Sequence, residues 1–357
     1  MQGEWNDLLR QSASDNVFMR WEWIHTWWTI FQCDRTLLIL TVRSEGRLIG
    51  IAPFYIERIR CWGPRILKFC SEELSPDYMN IFAERGRESD VAAGIMDYLK
   101  RCSGEWDVMV LDNLSQDSIL LSDVSLLSGF SHSARVSQTC PYIKNSGAFE
   151  DYYRSREQLL SFSLEKKYRK LVKQENAIHV TVRDEKDIQK SLDDFFKVHE
   201  RASREKNVTS NLMAKDVQQF HRELCQGFFR DGILRLDLLY MGEKPLSAFY
   251  SFCYKNKLYC FNTGYDPEWK KRSVGGILLL LIVQQVFQDG LEEFDFLKGT
   301  EGYKSLWATG VRSEMRLTVF NRNWRGMFWL AADKAKSALR NGKLKMKSLR
   351  SRASDDA

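Results

Sequence analysis

The sequence predicts an α/β chain of two similar halves, each a mixed, mostly antiparallel sheet flanked by helices. Three observations carry this. At 357 residues the chain exceeds what one ordinary core absorbs and suits two domains. Residues 233–264 alternate strand-like runs with tight turns, the pattern of an antiparallel meander. Residues 1–148 pass through nearly the same order of helices and strands as residues 149–322, so a fold is repeated along the chain. The division between the halves falls near residues 146–151, and residues 323–357 form a basic helical tail.

Composition sets outer limits. Hydrophobic residues make up 44% and charged residues, mixed in sign, 28%, which fits a packed core under an ordinary polar surface. The net charge of +6 favours anionic ligands such as nucleotides, phosphates or acidic lipids without choosing among them. Residues 1–10 lack a basic segment followed by an apolar one, and no apolar run reaches the ~18 residues of a membrane helix. A cytoplasmic protein is therefore expected, with peripheral contact at the inner membrane face as the variant. The eight cysteines include no Cys-x-x-Cys and no Cys/His group at metal spacing, so no metal is expected. Cys253 and Cys260 flank a tight turn at Asn256-Lys257 and read either as a cross-strand disulfide or as two small buried hydrophobes.

In the second half, residues 191–205 place Leu192, Phe195, Phe196 and His199 on one helical face. Residues 214–230 do the same with Val217, Phe220, Leu224 and Phe228. Strands follow at 233–241, 246–254 and 258–264. A polar loop, 265–272, leads to Ser273 as N-cap of a buried helix that ends before Gly290. A short strand at 293–297, a helix through 303–308 and a strand pair within 313–320 complete this half. In the first half, a helix at 21–31 precedes a hairpin, 36–43 and 47–57, around Ser44-Glu45-Gly46. A strand at 77–82, a helix at 88–101, a strand at 106–112, a helix at 115–127 and a strand at 131–140 follow.

The chemistry is expected between residues 258 and 307. The helix opening Ser273-Val274-Gly275-Gly276 presents first-turn amides that have no partner inside the helix, and the helix dipole adds positive charge there. The two glycines remove side chains that would block a phosphate, and Lys270, Lys271 and Arg272 precede them. The alternative is a capped core helix whose glycines permit close packing. Thr263 and Gly264, at the end of the preceding strand, complete the candidate donor site. The corresponding turn of the first half, 84–90, mixes three acids with two arginines and would repel a phosphate.

Asp295 lies between Phe294 and Phe296 and reads either as a buried base or as a structural acceptor. Glu301 is a candidate base, Tyr303 a proton donor to a departing thiol, and Lys304 a group that holds an anionic acceptor. The alternative for Glu301 and Lys304 is a local i, i+3 ion pair. His199 reads as a core residue or a further base. Asp77 and Tyr78 are candidate acceptor contacts from the first half, or a plain turn after Pro76. Lys166, Lys167, Arg169, Lys170 and Lys173 share a helical stretch and read as a solvated face or a phosphate-binding one. Trp21, Trp23, Trp27 and Trp28 suit core or domain-interface packing. From 334 to 352 the tail carries Lys334, Lys336, Arg340, Lys343, Lys345, Lys347, Arg350 and Arg352 and no acidic residue. It reads as a solvated tail, or as a contact to acidic lipid or nucleic acid.

The order of meander, glycine-containing helix start, short strand and helix resembles the GNAT acyltransferase superfamily. More closely, the run Phe294-Asp295-Phe296-Leu297-Lys298-Gly299-Thr300-Glu301-Gly302-Tyr303-Lys304-Ser305-Leu306-Trp307 resembles a hallmark of the cellulose-biosynthesis (CelD/BcsL-type) acetyltransferases. Tyr265-Asp266-Pro267, the Ser-x-Gly helix start and Ser75-Pro76-Asp77-Tyr78 resemble the same family, which is similar in turn to the two-part Fem-type aminoacyl transferases. The resemblance implies an N- or O-acyltransferase acting on a sugar-type precursor in cell-surface polysaccharide synthesis. It also implies acetyl-CoA or another acyl-CoA as co-substrate and a small-molecule or carbohydrate acceptor. Arg272-Ser273-Val274-Gly275-Gly276-Ile277 lacks the last small residue of the usual GNAT phosphate motif. The donor therefore stays open among CoA, a carrier-protein thioester and aminoacyl-tRNA, and nucleic acid is a partner only under the last of these. A non-catalytic scaffold of a polysaccharide-synthesis complex is the alternative outside enzymes.

Overall fold

The computed structural model describes residues 1–59, 63–156, 159 and 163–335. Its strands are β1 (Arg35–Ser44), β2 (Arg47–Arg58), β3 (Arg65–Phe69), β4 (Phe82–Ala83), β5 (Val108–Ser115), β6 (Ser131–Lys144), β7 (Ile178–Thr181), β8 (Leu234–Met241), β9 (Lys244–Tyr254), β10 (Lys257–Tyr265), β11 (Glu293–Asp295) and β12 (Gly310–Phe320). They join in one mixed sheet of order β1-β2-β3-β5-β12-β6-β11-β10-β9-β8-β7, with β4 attached to β2. Helices flank this sheet, so the chain is α/β as the sequence predicts.

Turn chemistry sets the hairpins. Glu45 (φ 52°) and Gly46 (φ 81°) form a two-residue turn with both residues left-handed, which matches the twist of β1 and β2. Lys255 (φ 49°) and Asn256 (φ 59°) do the same between β9 and β10. The register places Cys253 opposite Leu258 and Cys260 opposite Ser251, so the two cysteines do not face each other, and both are free thiols. The disulfide reading is thereby replaced by the small-hydrophobe one.

The last strand crosses into the first half. Where the sequence predicts a strand pair within 313–320, the structure has the single strand β12, inserted antiparallel between β5 and β6. β6 in turn borders β11 of the second half. Each half therefore completes its sheet with a strand from the other part of the sequence.

The core follows this joint. Trp23 and Trp27, fully buried, belong to the helix Trp21–Phe31. Trp23 meets Phe220 edge-on at 5.1 Å and Phe252 at 5.9 Å, so this first-half tryptophan packs on second-half rings. Such aromatic pairs contribute roughly 0.5–1.5 kcal/mol each beyond area burial. The helix Val274–Gln288 buries Val274, Ile277, Leu278, Leu279, Leu280, Ile282, Val283 and Val286, which explains a sequence apolar nearly all round.

Two further expectations are corrected. Of the strand expected over 77–82 only Phe82 is in β4; Ser75 (φ 55°) and Tyr78 (φ 56°) are left-handed and turn the chain instead. That turn is held by side chains, as described below. The helix expected over 115–127 is a short α-turn, Ile119–Ser122, followed by the 3-10 turn Val124–Leu127. The strand β3, whose run RILKF carries no period-two alternation, is an element the sequence reading omitted. Residues 324–335 are helical, and the basic run beyond 335 lies outside the described residues.

Candidate active site

Two cavities open side by side where β10 and β11 separate. The strands run parallel only from Lys257 opposite Glu293 to Tyr259 opposite Asp295. β10 continues to Tyr265 with a register break between Cys260 and Asn262, so its edge past Tyr259 has no β11 partner. β11 ends because Leu297 takes a left-handed φ of 55°, costly for a branched side chain, and Asp295 secures that turn by accepting from Leu297 N at 2.8 Å.

The first cavity, about 300 Å³, is lined by Lys206, Phe249, Thr263, Gly264, Tyr265, Lys270, Ser273, Val274, Gly275, Gly276, Leu279, Tyr303 and Trp307. The amides of Val274, Gly275 and Gly276 precede the first helical hydrogen bond, from Ile277 N to Ser273 O at 2.9 Å. A Cβ at Gly275 would meet only Tyr265 Cβ, at 3.9 Å, and one at Gly276 would meet Leu164 at 3.3 Å. Packing alone therefore does not require glycine at 275, although glycine is the poorer helix former. What the missing side chain leaves is open floor beside amides that carry positive charge. Ser273 occupies the N-cap position, but it is left-handed (φ 57°) and makes no cap bond; its hydroxyl instead accepts from Lys167 Nζ at 2.9 Å.

The cations divide unequally. Lys270 lines this cavity and pairs with Glu205 at 2.6 Å, and Lys206 joins it from the end of the helix Ile188–Glu205. Lys271 and Arg272 are not among the lining residues; Arg272 is paired with Glu175 and stacks on Trp269 at 4.8 Å.

Gly264 serves packing as well as lining. A Cβ there would fall 2.6 Å from His199 N and 2.8 Å from His199 Cα, so β10 can approach the helix only without one. His199 anchors the same contact. Its Nδ1 lies 2.9 Å from Thr263 O, an acceptor, so Nδ1 carries the proton. Nε2, 2.8 Å from Ser210 Oγ, then accepts. Burial lowers the His199 pKa, which keeps this neutral arrangement. His199 lines neither cavity and is a positioning residue for the end of β10.

The second cavity, about 250 Å³, draws on both halves: Glu73, Ser75 and Asp77 from the first, Asn211, His221, Asn262, Thr263, Lys298, Glu301, Tyr303 and Lys304 from the second. Lys304 is buried; its Nζ donates to Lys298 O at 2.7 Å and pairs with Glu301 Oε2 at 3.2 Å. The i, i+3 ion pair is thus present, and it fills the space over Gly299 (φ 141°), where a Cβ would fall 2.0 Å from Glu301 Oε2. Glu301 stays half exposed, its side chain at 53%. Thr263 and Tyr303 line both cavities and form the wall between them. Tyr303 keeps 36% of its surface open at that wall. The protein packed round its phenol nonetheless raises its pKa, with Cys260 and Glu301 adding to the effect, so the phenol stays protonated.

Asp77, Tyr78 and Asp295 meet beneath this cavity. Tyr78 donates its hydroxyl to Asp295 Oδ2 at 2.7 Å, and Arg312 Nη1 reaches the same oxygen at 3.1 Å. Burial pushes the Asp295 carboxyl up to about 7, against the pull of Tyr78 and Arg312. Asp295 lines neither cavity, and its visible work is structural. Asp77 does line the second cavity; it accepts from Lys298 N at 3.1 Å and lies against Glu314. Glu314 accepts from Tyr78 N at 2.6 Å, and burial with the neighbouring Asp77 charge pushes its pKa up to about 9. Burial also raises Asp77. Burial of each carboxyl beside the other favours keeping a proton on the pair.

Sequence reasoning missed Lys206, His221, Arg312 and Glu314. The two on β12 are invisible without the strand exchange, since they read there as ordinary solvent-facing polar residues. Lys206, one residue past the expected helix end, was legible as a C-terminal cation. Among the described residues, no helix is long and apolar enough to cross a membrane.

Residues 162–305, which contain all the residues lining the first cavity except Trp307 and all second-half residues lining the other, match the family of acetyltransferase (GNAT) domains. Across the solved structures, FemX superposes with a TM-score of 0.63 at 9% identity, covering 89% of this chain and 95% of FemX. The C-terminal domain of a putative lysylphosphatidylglycerol synthetase from Agrobacterium fabrum gives 0.57 at 12% identity, covering 93% and 94%. L-PGS from Bacillus licheniformis gives 0.55 at 9%, covering 90% and 92%. At such identities these likenesses establish the fold. No curated protein matches by sequence. The chain is an acyltransferase carrying a GNAT-type acetyltransferase domain over residues 162–305.

Proposed function

We propose that the chain transfers an acyl group, acetyl in the simplest case, from an acyl-CoA in the first cavity to an amine or hydroxyl of a sugar-type acceptor in the second. The observation that carries this reading is the shared wall: Thr263 and Tyr303 border both cavities, so donor and acceptor would meet there. The first-turn amides beside Gly275 and Gly276, with Lys206 and Lys270, suit a pyrophosphate. Phe249, Leu279 and Trp307 suit the apolar arm of a thioester. The unpaired edge of β10 offers backbone donors to a carbonyl laid along it.

Glu301, the most exposed of the carboxylates lining the second cavity, takes the acceptor's proton; Tyr303 gives a proton to the departing thiolate. The second cavity sets carboxylates at 73, 77 and 301 among Lys298, Lys304 and Asn211, a lining that matches many hydroxyls rather than one fixed charge. Cell-surface polysaccharide synthesis is the setting this acceptor class implies.

Thermal shift with acetyl-CoA, longer acyl-CoAs and charged tRNA tests the donor. Acetyl-CoA at a hundred times its Kd stabilises by about 2.7 kcal/mol. A shift with charged tRNA alone replaces acyl-CoA by an aminoacyl donor.

A further inference from the structure

The helical residues 324–335 carry an exposed apolar face that the acyltransfer site does not use. Trp324 is 76% exposed, Met327 48% and Phe328 63%. Their spacing, i, i+3, i+4, puts them on one side of the helix. The opposite side is fixed to the sheet. Trp329 and Leu330 pack on Val108, Val110 and Phe320. Asn323 donates to Asp107 Oδ1 at 2.9 Å and accepts from Gly326 N at 2.8 Å. Gly326 sits so close that a Cβ would fall 2.2 Å from Asn321 O. Three large apolar side chains are thus held outward by a helix that cannot roll them under, an arrangement that marks a contact surface.

The sequence that follows identifies the partner's charge. Lys334, Lys336, Arg340, Lys343, Lys345, Lys347, Arg350 and Arg352 follow within the next stretch, and the first acidic residue after them is Asp355. Between these cations stand Leu339, Leu344, Met346 and Leu349, and no aromatic residue follows Trp329. Surfaces for single-stranded nucleic acid add rings on which the bases stack, and none is present in this basic run. Aliphatic side chains interleaved with cations suit the boundary between lipid headgroups and acyl chains.

We propose that residues 324–352 dock the protein on an anionic lipid bilayer, with Trp324, Met327 and Phe328 entering the interface and the basic run meeting the headgroups. β12 spans six residues from Glu314, beneath the acceptor cavity, to Phe320, which at ~3.3 Å per residue is about 20 Å. The docking face lies beyond Phe320 and shares no residue with either cavity.

The full chain should co-sediment with vesicles of phosphatidylcholine plus phosphatidylglycerol, not with phosphatidylcholine alone, and should release as salt rises. Trp324→Ser/Phe328→Ser should lower that binding at least about tenfold with an unchanged melting temperature, since both rings are already in water. Lys343→Gln/Lys345→Gln/Lys347→Gln should weaken it by about fivefold per charge. Failure of the native chain to pellet with anionic vesicles, or equal pelleting of the serine variant, overturns the proposal. So does stronger binding to tRNA that the serine substitutions leave intact. Acyltransfer plays no part in this assay, so its outcome is independent of the proposed reaction.

Discussion

The Tyr78 hydroxyl donates to Asp295 Oδ2 at 2.7 Å across 217 residues of sequence, and this bond fastens the first half to the strand beyond whose end the two cavities open. Asp295 holds the left-handed turn at Leu297 with its other oxygen. Tyr78→Phe leaves that buried oxygen with Arg312 alone. It should cost about 1–3 kcal/mol in urea unfolding, while donor affinity, set by a different cavity, stays within twofold (~0.4 kcal/mol).

Glu314 gives stability an inverted pH dependence. Its carboxyl is held up to about 9 when folded and returns to the ordinary carboxylate range when unfolded. The folded chain therefore keeps a proton that the unfolded chain has lost, and stability falls as pH rises from the carboxylate range through about 9. Asp295, held up to about 7, adds the same sign over the lower part of that window. Glu314→Gln removes the titration and retains a donor toward Asp77. The variant should melt at least about 2 °C above the native chain at alkaline pH, with the gap closing toward acidic pH.

What could be read from the sequence depended on range. The β9–β10 hairpin is local: Asn256 beside Lys255 accepts the left-handed turn, and the flanking aromatic runs can only be strands. The helix Val274–Gln288 was equally plain, and with it the two glycines that line the first cavity. The second cavity was less so. Asp77 and Tyr78 were picked out, but the strand expected through them is a turn tied to Lys298 and Glu314, partners far off in sequence. Arg312 and Glu314 escaped notice because β12 is read correctly only once it is placed between β5 and β6. No periodicity within residues 310–320 encodes that placement. Arg272 looked like a donor contact from its position, and is instead held by Glu175 from another segment.

Gly264 should tolerate nothing larger. Gly264→Ala places a methyl within 2.6 Å of the His199 backbone, which no rotamer relieves. Overpacking of this kind costs about 1–3 kcal/mol, read as a lower urea midpoint with an unchanged slope.

Tyr303→Phe keeps the ring that separates the cavities and removes the proton. If Tyr303 protonates the departing thiolate, kcat falls by about 10²-fold or more while donor Kd is unchanged. A matched loss in donor affinity would instead assign Tyr303 to binding.

The central claim is that the bare first turn of the helix Val274–Gln288 grips the phosphates of the donor. Isothermal titration of acetyl-CoA into the native chain and into Gly275→Leu tests it most directly. At that position a Cβ meets nothing closer than 3.9 Å, so the backbone accepts a side chain there, and an unchanged melting temperature identifies a folded variant. The account predicts saturable binding to the native chain and a loss of at least about a hundredfold, ~2.7 kcal/mol, in the variant. Equal affinities in the two proteins would contradict it and place the donor elsewhere.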